Sequence, residues 1–258
     1  MLFARLSTLG VCVAALCLLS FVVPAESIAE ASEAEAKEAA PEKTVYLTFD
    51  DGPSEITLDV LDTLKDYEAA ATFFVCGNVT DFGRDVYKRI LDEGHALGNH
   101  TFSHSYDKVY TSADAFEQNV ARLDDLIHEF TGTRPRLLRF PGGSNNRITK
   151  GADGRSITYD LVNRMAKQGY RHFDWNVDSR DYGANAKNAD AIATTVVEGV
   201  SEHEQAIVLM HDSYLRAATA KALPKIITEL RAKGYAFKPL SSESFNVQFL
   251  KPAVEASE

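Results

Sequence analysis

From Thr44 onward, two kinds of segment take turns along the chain. Short runs rich in β-branched and aromatic residues, near 45–49, 71–75, 96–99, 137–140, 172–176, 206–210 and 236–239, read as strands. Longer stretches between them repeat apolar residues three and four apart, near 56–67, 86–93, 113–130, 158–168, 188–201 and 223–233, and read as amphipathic helices. Strands separated by helices are expected to lie parallel, because each crossover brings the chain back in its original direction. About seven such units predict an α/β fold, a distorted (β/α) barrel of parallel strand–helix units spanning 44–258, with its chemistry where the strands end.

What precedes this region follows another pattern. Residues 1–25 join Arg5, an apolar run from Leu9 to Val23 and a small-residue site at Val23-Pro24-Ala25. This is an export signal or, if retained, an N-terminal membrane anchor, and its apolar run is shorter than the roughly 20 residues of a full span. Residues 26–43 are almost all Ala, Glu, Ser and Lys and read as an acidic tether with no apolar face to bury. The expected location is therefore extracellular or at the cell wall.

Charge narrows the function. A formal net charge of −10 over 258 residues leaves no basic face for nucleic-acid phosphates, so no nucleic acid is expected as a partner, and no protein partner is implied. Cys12 and Cys17 would leave with a cleaved signal. Cys76, within a Thr-Phe-Phe-Val-Cys run, then reads as a core residue without a disulfide partner.

The strand ends carry the candidate chemistry. Asp50-Asp51-Gly52-Pro53 sets two adjacent carboxylates at one strand end before a sharp turn, and neighbours on an extended chain point to opposite sides. One can hold a metal while the other acts on water. His100 and His104, four apart, meet on one side if the segment turns helically. Imidazole with carboxylate suits zinc or its first-row neighbours, which gives Asp51, His100 and His104 as expected metal ligands. Arg139, Asp178 or Asp181, and His211 end further strands, whereas His95, His128, His172 and His203 have no such setting and read as surface or core residues.

Together these motifs resemble the polysaccharide deacetylases with a NodB-type homology domain, carbohydrate esterase family four, over about 44–240. The resemblance implies that Asp50 is the catalytic base, that Asp51, His100 and His104 bind the metal, and that Arg139 orients the base. In Arg139-Phe140-Pro141-Gly142-Gly143 the usual Tyr after the proline is Gly142. The resemblance implies that the residue after the proline gives a backbone N–H to the oxyanion hole, a donor that glycine can keep, while an aromatic wall beside the substrate is lost. Asp181 would hold the general acid His211, with Asp178 as the alternative. Tyr182 stands where the family has Trp, and Leu209 reads either as a contact for the acetyl methyl or as core.

One divalent ion is the implied cofactor, zinc first, with cobalt, nickel or manganese also suitable. The implied substrate is a cell-wall polysaccharide, peptidoglycan N-acetylglucosamine in particular. Chitooligosaccharide deacetylation, O-acetyl hydrolysis on xylan and a non-catalytic carbohydrate-binding role are the rivals. Ser144 to Ser156 reads as a polar, mobile surface loop, with a lining of the sugar groove through Asn145, Asn146 or Arg147 as the alternative.

Overall fold

A computed structural model describes residues 43–147, 156–183 and 185–253. The expected signal, and the expected tether up to residue 42, lie outside the described residues. In chain order the elements are β1 Thr44–Asp50, α1 Glu55–Asp66, β2 Ala71–Val75, α2 Asp81–Asp92, β3 Ala96–Asn99, α3 Tyr106–Val109, α4 Ala113–Thr131, β4 Leu137–Leu138, α5 Thr158–Lys167, β5 Arg171–His172, β6 Val177–Asp178, α6 Ala189–Ser201, β7 Gln205–His211, α7 Ala217–Ala232 and β8 Ala236–Phe237. Seven strands make one curled parallel sheet in the order β5-β4-β3-β2-β1-β7-β6, and β8 pairs with the start of β1. This is the expected (β/α) barrel, left open between β5 and β6.

Strand alternation sorts the side chains into two layers. Val45, Leu47 and Phe49 of β1, Ala71, Phe73 and Val75 of β2, and Ala206, Val208 and Met210 of β7 face outward. They are buried with Leu61 of α1, Val196 of α6 and Ile226 of α7 in the main core. The residues in between face inward, where Tyr46, Phe74, Leu137, Phe173 and Ile207 form a second cluster. Continuing the inner rows past that apolar floor to the strand ends brings in Asp50, His100, Arg139 and His211. Register holds them level: β1 places Asp50 opposite Phe74 of β2 and His211 of β7. Among the described residues no helix is long and apolar enough to cross a membrane.

Besides the unexpected short helix α3 and strands β4 and β8, which end two residues earlier than expected, three elements differ from expectation. The segment near 172–176 is not one strand: β5 ends at His172 on one edge of the sheet and β6 starts at Val177 on the other. Its alternating apolar residues line the crossing between the two edges, and the Asn176 side chain imitates a strand partner. Its Nδ2 donates to the Gln205 carbonyl at 3.1 Å, and its Oδ1 accepts from the Ile207 N–H at 2.7 Å. Helix α7 begins well before 223 and carries Pro224 inside it, because burial of Ala220, Ala222 and Leu223 outweighs the N–H that proline removes. Helix α2 starts at Asp81, set by Thr80, whose hydroxyl caps the Gly83 N–H.

Candidate active site

Asp51 follows β1 in a left-handed conformation, φ 80°, which swings its carboxylate away from that of Asp50. The turn is locked by Asp212, which sequence reasoning passed over. Asp212 is fully buried, its Oδ2 accepts from Thr57 Oγ1 at 2.6 Å, and its backbone carbonyl accepts from Ser54 Oγ at 2.5 Å. A Cβ on Gly52 would lie 2.4 Å from Asp212 Oδ2, so only glycine lets the turn pass.

His100 and His104 do meet, but not through a helical turn. Residues 100–104 form a tight loop with Thr101 at φ 67° and His104 at φ 50°. Asn99 holds the loop in that shape. Its Oδ1 accepts from the Thr101 N–H at 2.8 Å, and its Nδ2 donates to Asp124 of α4 at 2.7 Å. Tyr170 completes this buried network by donating to Asp124 at 2.6 Å.

Asp51, His100 and His104 are brought together so that one ligand atom of each lies within 4.8 Å of the others. His104 Nε2 is 3.2 Å and His100 Nε2 is 3.6 Å from Asp51 Oδ1. His100 Nδ1 lies 2.8 Å from the Arg139 carbonyl, so Nδ1 carries the hydrogen and Nε2 turns its lone pair to the cluster. Burial, and then the neighbouring His104, hold His100 neutral down to about 3. Asp51 Oδ1 is buried without any hydrogen-bond donor. A buried carboxylate oxygen facing imidazole lone pairs suits a cation, and the donor set fits a divalent first-row metal.

Beside this cluster lies Asp50, 3% exposed. Arg139, fully buried, donates from Nη1 to Asp50 Oδ1 at 2.9 Å and to Thr48 Oγ1 at 2.6 Å. Its Nε and Nη2 donate to the carbonyls of Phe173 and Asp174, on the crossing between β5 and β6, and its plane lies 4.2 Å over the Phe74 ring. Burial raises the Asp50 carboxyl above its ordinary value, while the charges of Arg139 and His211 pull it down.

On the other side His211 Nδ1 lies 2.8 Å from Asp181 Oδ1, and Asp181 Oδ2 accepts from the His211 N–H and from Thr219 Oγ1. Burial alone would favour the neutral ring, yet the Asp181 hydrogen bond and charge raise His211 to about 9. Burial likewise works against the Asp181 carboxylate, but the His211 hydrogen bond and charge set it below the usual range. Asp178 is not on His211: it accepts from Tyr182 Oη at 2.9 Å and from the Arg180 N–H. Tyr182 is 53% exposed, with its ring edge-on to His211 at 5.6 Å. Leu209 shares the inner row with His211, is 4% exposed, and belongs to none of the apolar clusters.

Gly142 is exposed at φ +76°, and among the described residues its N–H has no acceptor. The turn that carries it is pinned. Tyr110 Oη and Asn146 Nδ2 donate to the Pro141 carbonyl, and Ser144 donates from backbone and hydroxyl to Asp174. Ser144 and Asn146 are thus buried anchors rather than parts of a surface loop, while Asn145 and Arg147 are exposed; residues 148–155 lie outside the described residues. Space beside Gly142 is not open, as the missing aromatic suggested. Tyr106 of α3 stands there, edge-on to His104. Residues 247–250 also reach the turn: the Phe249 N–H donates to Asp174 Oδ2, the Leu250 N–H donates to Ser144 Oγ, and the Phe249 ring packs edge-on to Trp175. Phe245, Val247 and Phe249 alternate with Asn246 and Gln248, a strand-like signal that would have marked this segment.

Cys76 is a free thiol of intermediate burial and belongs to none of the apolar clusters, so it is not the core residue expected from sequence: it follows β2 into the turn, beyond the last core position, Val75. His95 and His172 are buried, His128 is exposed and His203 intermediate, none of them on the rim.

A buried carboxylate paired with arginine, a charged histidine paired with aspartate, a free backbone N–H and a cation-seeking triad share one rim of a parallel barrel. Such equipment defines a hydrolase that adds water to an acyl group. The family profile described as Polysaccharide deacetylase matches residues 37–162. A peptidoglycan-N-acetylglucosamine deacetylase of Bacillus cereus is 35% identical over 212 residues, covering 80% of this chain and 73% of that protein. The catalytic domain of peptidoglycan N-acetylglucosamine deacetylase from Eubacterium rectale superposes with a TM-score of 0.74 at 34% identity, over 82% of this chain and 95% of that one. A family 4 acetyl xylan esterase from Clostridium thermocellum, in complex with a cobalt ion, does so at 0.63 and 30% identity, over 76% and 88%. The chain belongs to the polysaccharide deacetylase family, carbohydrate esterase family four.

Proposed function

We propose that the protein removes N-acetyl groups from the glucosamine of peptidoglycan, releasing acetate, with a divalent metal, zinc foremost, held by Asp51, His100 and His104. The observation that carries this reading is the convergence of Asp50–Arg139, Asp181–His211 and the triad on the rim around Gly142. When bound, such a metal would lower the pKa of water to about 7 and polarise the acetyl carbonyl.

The chain's own residues supply the proton traffic. An amide is a weak electrophile and its amine a poor leaving group, so one group must take a proton from water and another must give one to nitrogen. Asp50, kept anionic by Arg139, takes the proton as the water oxygen bonds to the acetyl carbon. The oxygen that gains charge is met by the Gly142 N–H. His211, charged through Asp181, gives its proton to the amine as the carbon–nitrogen bond breaks, leaving acetate and the free amine. Leu209, one step before His211 on the inner row, faces the acetyl methyl. Exposed Tyr182 and Phe249 offer aromatic faces to the apolar sides of pyranose rings. Export through residues 1–25 belongs to the same proposal, since the polymer lies outside the cytoplasm.

The test is acetate release from defined peptidoglycan, chitin and acetylxylan fragments by the zinc-reconstituted chain. Release from N-acetylated wall fragments, abolished by chelation and restored by zinc, is expected; release from acetylxylan alone would move the assignment to O-acetyl esters. Asp50→Asn should lower kcat by about 10²–10⁴-fold with zinc still bound by direct metal analysis. Activity like that of the unmodified chain would remove Asp50 from the role of base.

A further inference from the structure

Tyr106 stands two residues beyond the second histidine of the triad, and its ring is held from two sides. His104 meets it edge-on at 5.5 Å between centroids, and Tyr110 packs against it at 5.8 Å. Tyr110 is itself fixed, donating its hydroxyl to the Pro141 carbonyl at 2.9 Å. The two tyrosines and the 141–143 turn therefore form one packed unit, and the position of the Tyr106 hydroxyl relative to Gly142 is set by packing.

That hydroxyl faces Gly142. A Cβ on residue 142 would lie 2.7 Å from Tyr106 Oη, so a side chain there and the phenol in its present place exclude each other. Among the described residues the hydroxyls of Tyr87, Tyr110, Tyr170 and Tyr235 each donate to a protein acceptor. Tyr106, half-buried, donates to none. A phenol is a good donor, and this one is absent from the buried unpartnered atoms, so it stays open to a ligand's oxygen in place of solvent. The free N–H of Gly142 is its neighbour. Two unspent donors thus sit side by side next to the triad, which is how a protein prepares for an oxygen that gains negative charge.

We propose that Tyr106 is a catalytic residue: its hydroxyl donates a hydrogen bond to the acetyl oxygen, beside the Gly142 N–H, as that oxygen takes up charge. This rests on the reading of the site as a deacetylase. The proton stays on the phenol throughout, so the step adds no transfer to those of Asp50 and His211. Glycine at 142 is then the residue that admits a second donor to the oxyanion position.

The test compares the full zinc-reconstituted chain with its Tyr106→Phe and Tyr106→Leu variants, on acetate release from peptidoglycan fragments and on calorimetric binding of acetate. Acetate is the product and presents its oxygens to the same donors. Tyr106→Phe keeps the ring and its packing, so melting should be unchanged. Expected is a kcat about 10- to 100-fold lower with KM within about two-fold, the mark of an interaction made in the transition state. Acetate should bind about five-fold more weakly. Equal kcat and equal acetate affinity in Tyr106→Phe overturn the proposal, as does a Phe variant that keeps full activity while Tyr106→Leu loses it, which would make the ring a packing wall. Weaker acetate binding in Tyr106→Phe, with no acetate released from any N-acetylated polymer by the unmodified chain, would uphold the donor and refute the substrate reading.

Discussion

His211 and Asp181 stabilise each other's charged forms, and pH tests the pair directly. The folded pKa of His211, about 9, lies above the roughly 6.5 of an unfolded histidine, so its contribution to stability is fully present below the unfolded value and is lost as pH rises through about 9. Asp181 has the opposite sense. Its folded pKa is depressed, so its contribution is present above the ordinary carboxylate value and is lost as pH falls through the depressed one. Because His211 must carry a proton to give one, the alkaline limb of kcat/KM should fall near 9 in the unmodified chain. In Asp181→Asn that limb should move down by at least one pH unit, about the effect of losing a charged hydrogen-bond partner. The melting temperature should also lose much of its decline between neutral and alkaline pH. A limb that stays put in Asp181→Asn would show that His211 does not depend on this carboxylate.

Alternation along the strands explains how four reactive side chains reach one rim without any loop having to aim them. Asp50, His100, Arg139 and His211 each continue an inward row, and their level is set by strand register rather than by local turns. Glycine supports one of these rows: a Cβ on Gly98 would lie 2.5 Å from the Phe74 ring, on which the Arg139 guanidinium rests. Gly98→Ala should therefore cost about 1–3 kcal/mol in denaturant unfolding and lower kcat through displacement of Arg139. A variant as stable and as active as the parent would show that Phe74 can move freely. The same alternation made much of the fold legible in sequence, since 71–75 and 96–99 coincide with β2 and β3. Legibility failed where neighbours distant in sequence decide the outcome. The crossing at 173–176 alternates like a strand, and only the partners on each side show that it is not one. Nor does His-x-x-x-His disclose that Asn99 and Asp124 hold its loop in left-handed turns. Tyr106 was equally hidden, because its meaning comes from the absence of a side chain at 142.

For the molecule as a whole, the turn that carries Gly142 depends on the C-terminal end of the described residues as well as on the middle of the chain. Ser144 and Asp174 hold it from within, and residues 247–250 close over both. Removal of the residues after Ser244 should leave the barrel folded, since β1–β8 lie before the cut. It should nonetheless lower acetate release by at least about ten-fold, as loss of positioning does. Full activity in the shortened chain would show that Ser144 and Asp174 suffice. The Leu250 contact to Ser144 joins residues 106 positions apart. At about 5–20 residues per second, the ribosome needs some seconds between making Ser144 and making its partner. The triad and both proton-handling pairs are on the nascent chain before the last fastening of the donor turn can form, so a chain still in synthesis holds its reactive groups with the means of stabilising the reaction not yet fully secured.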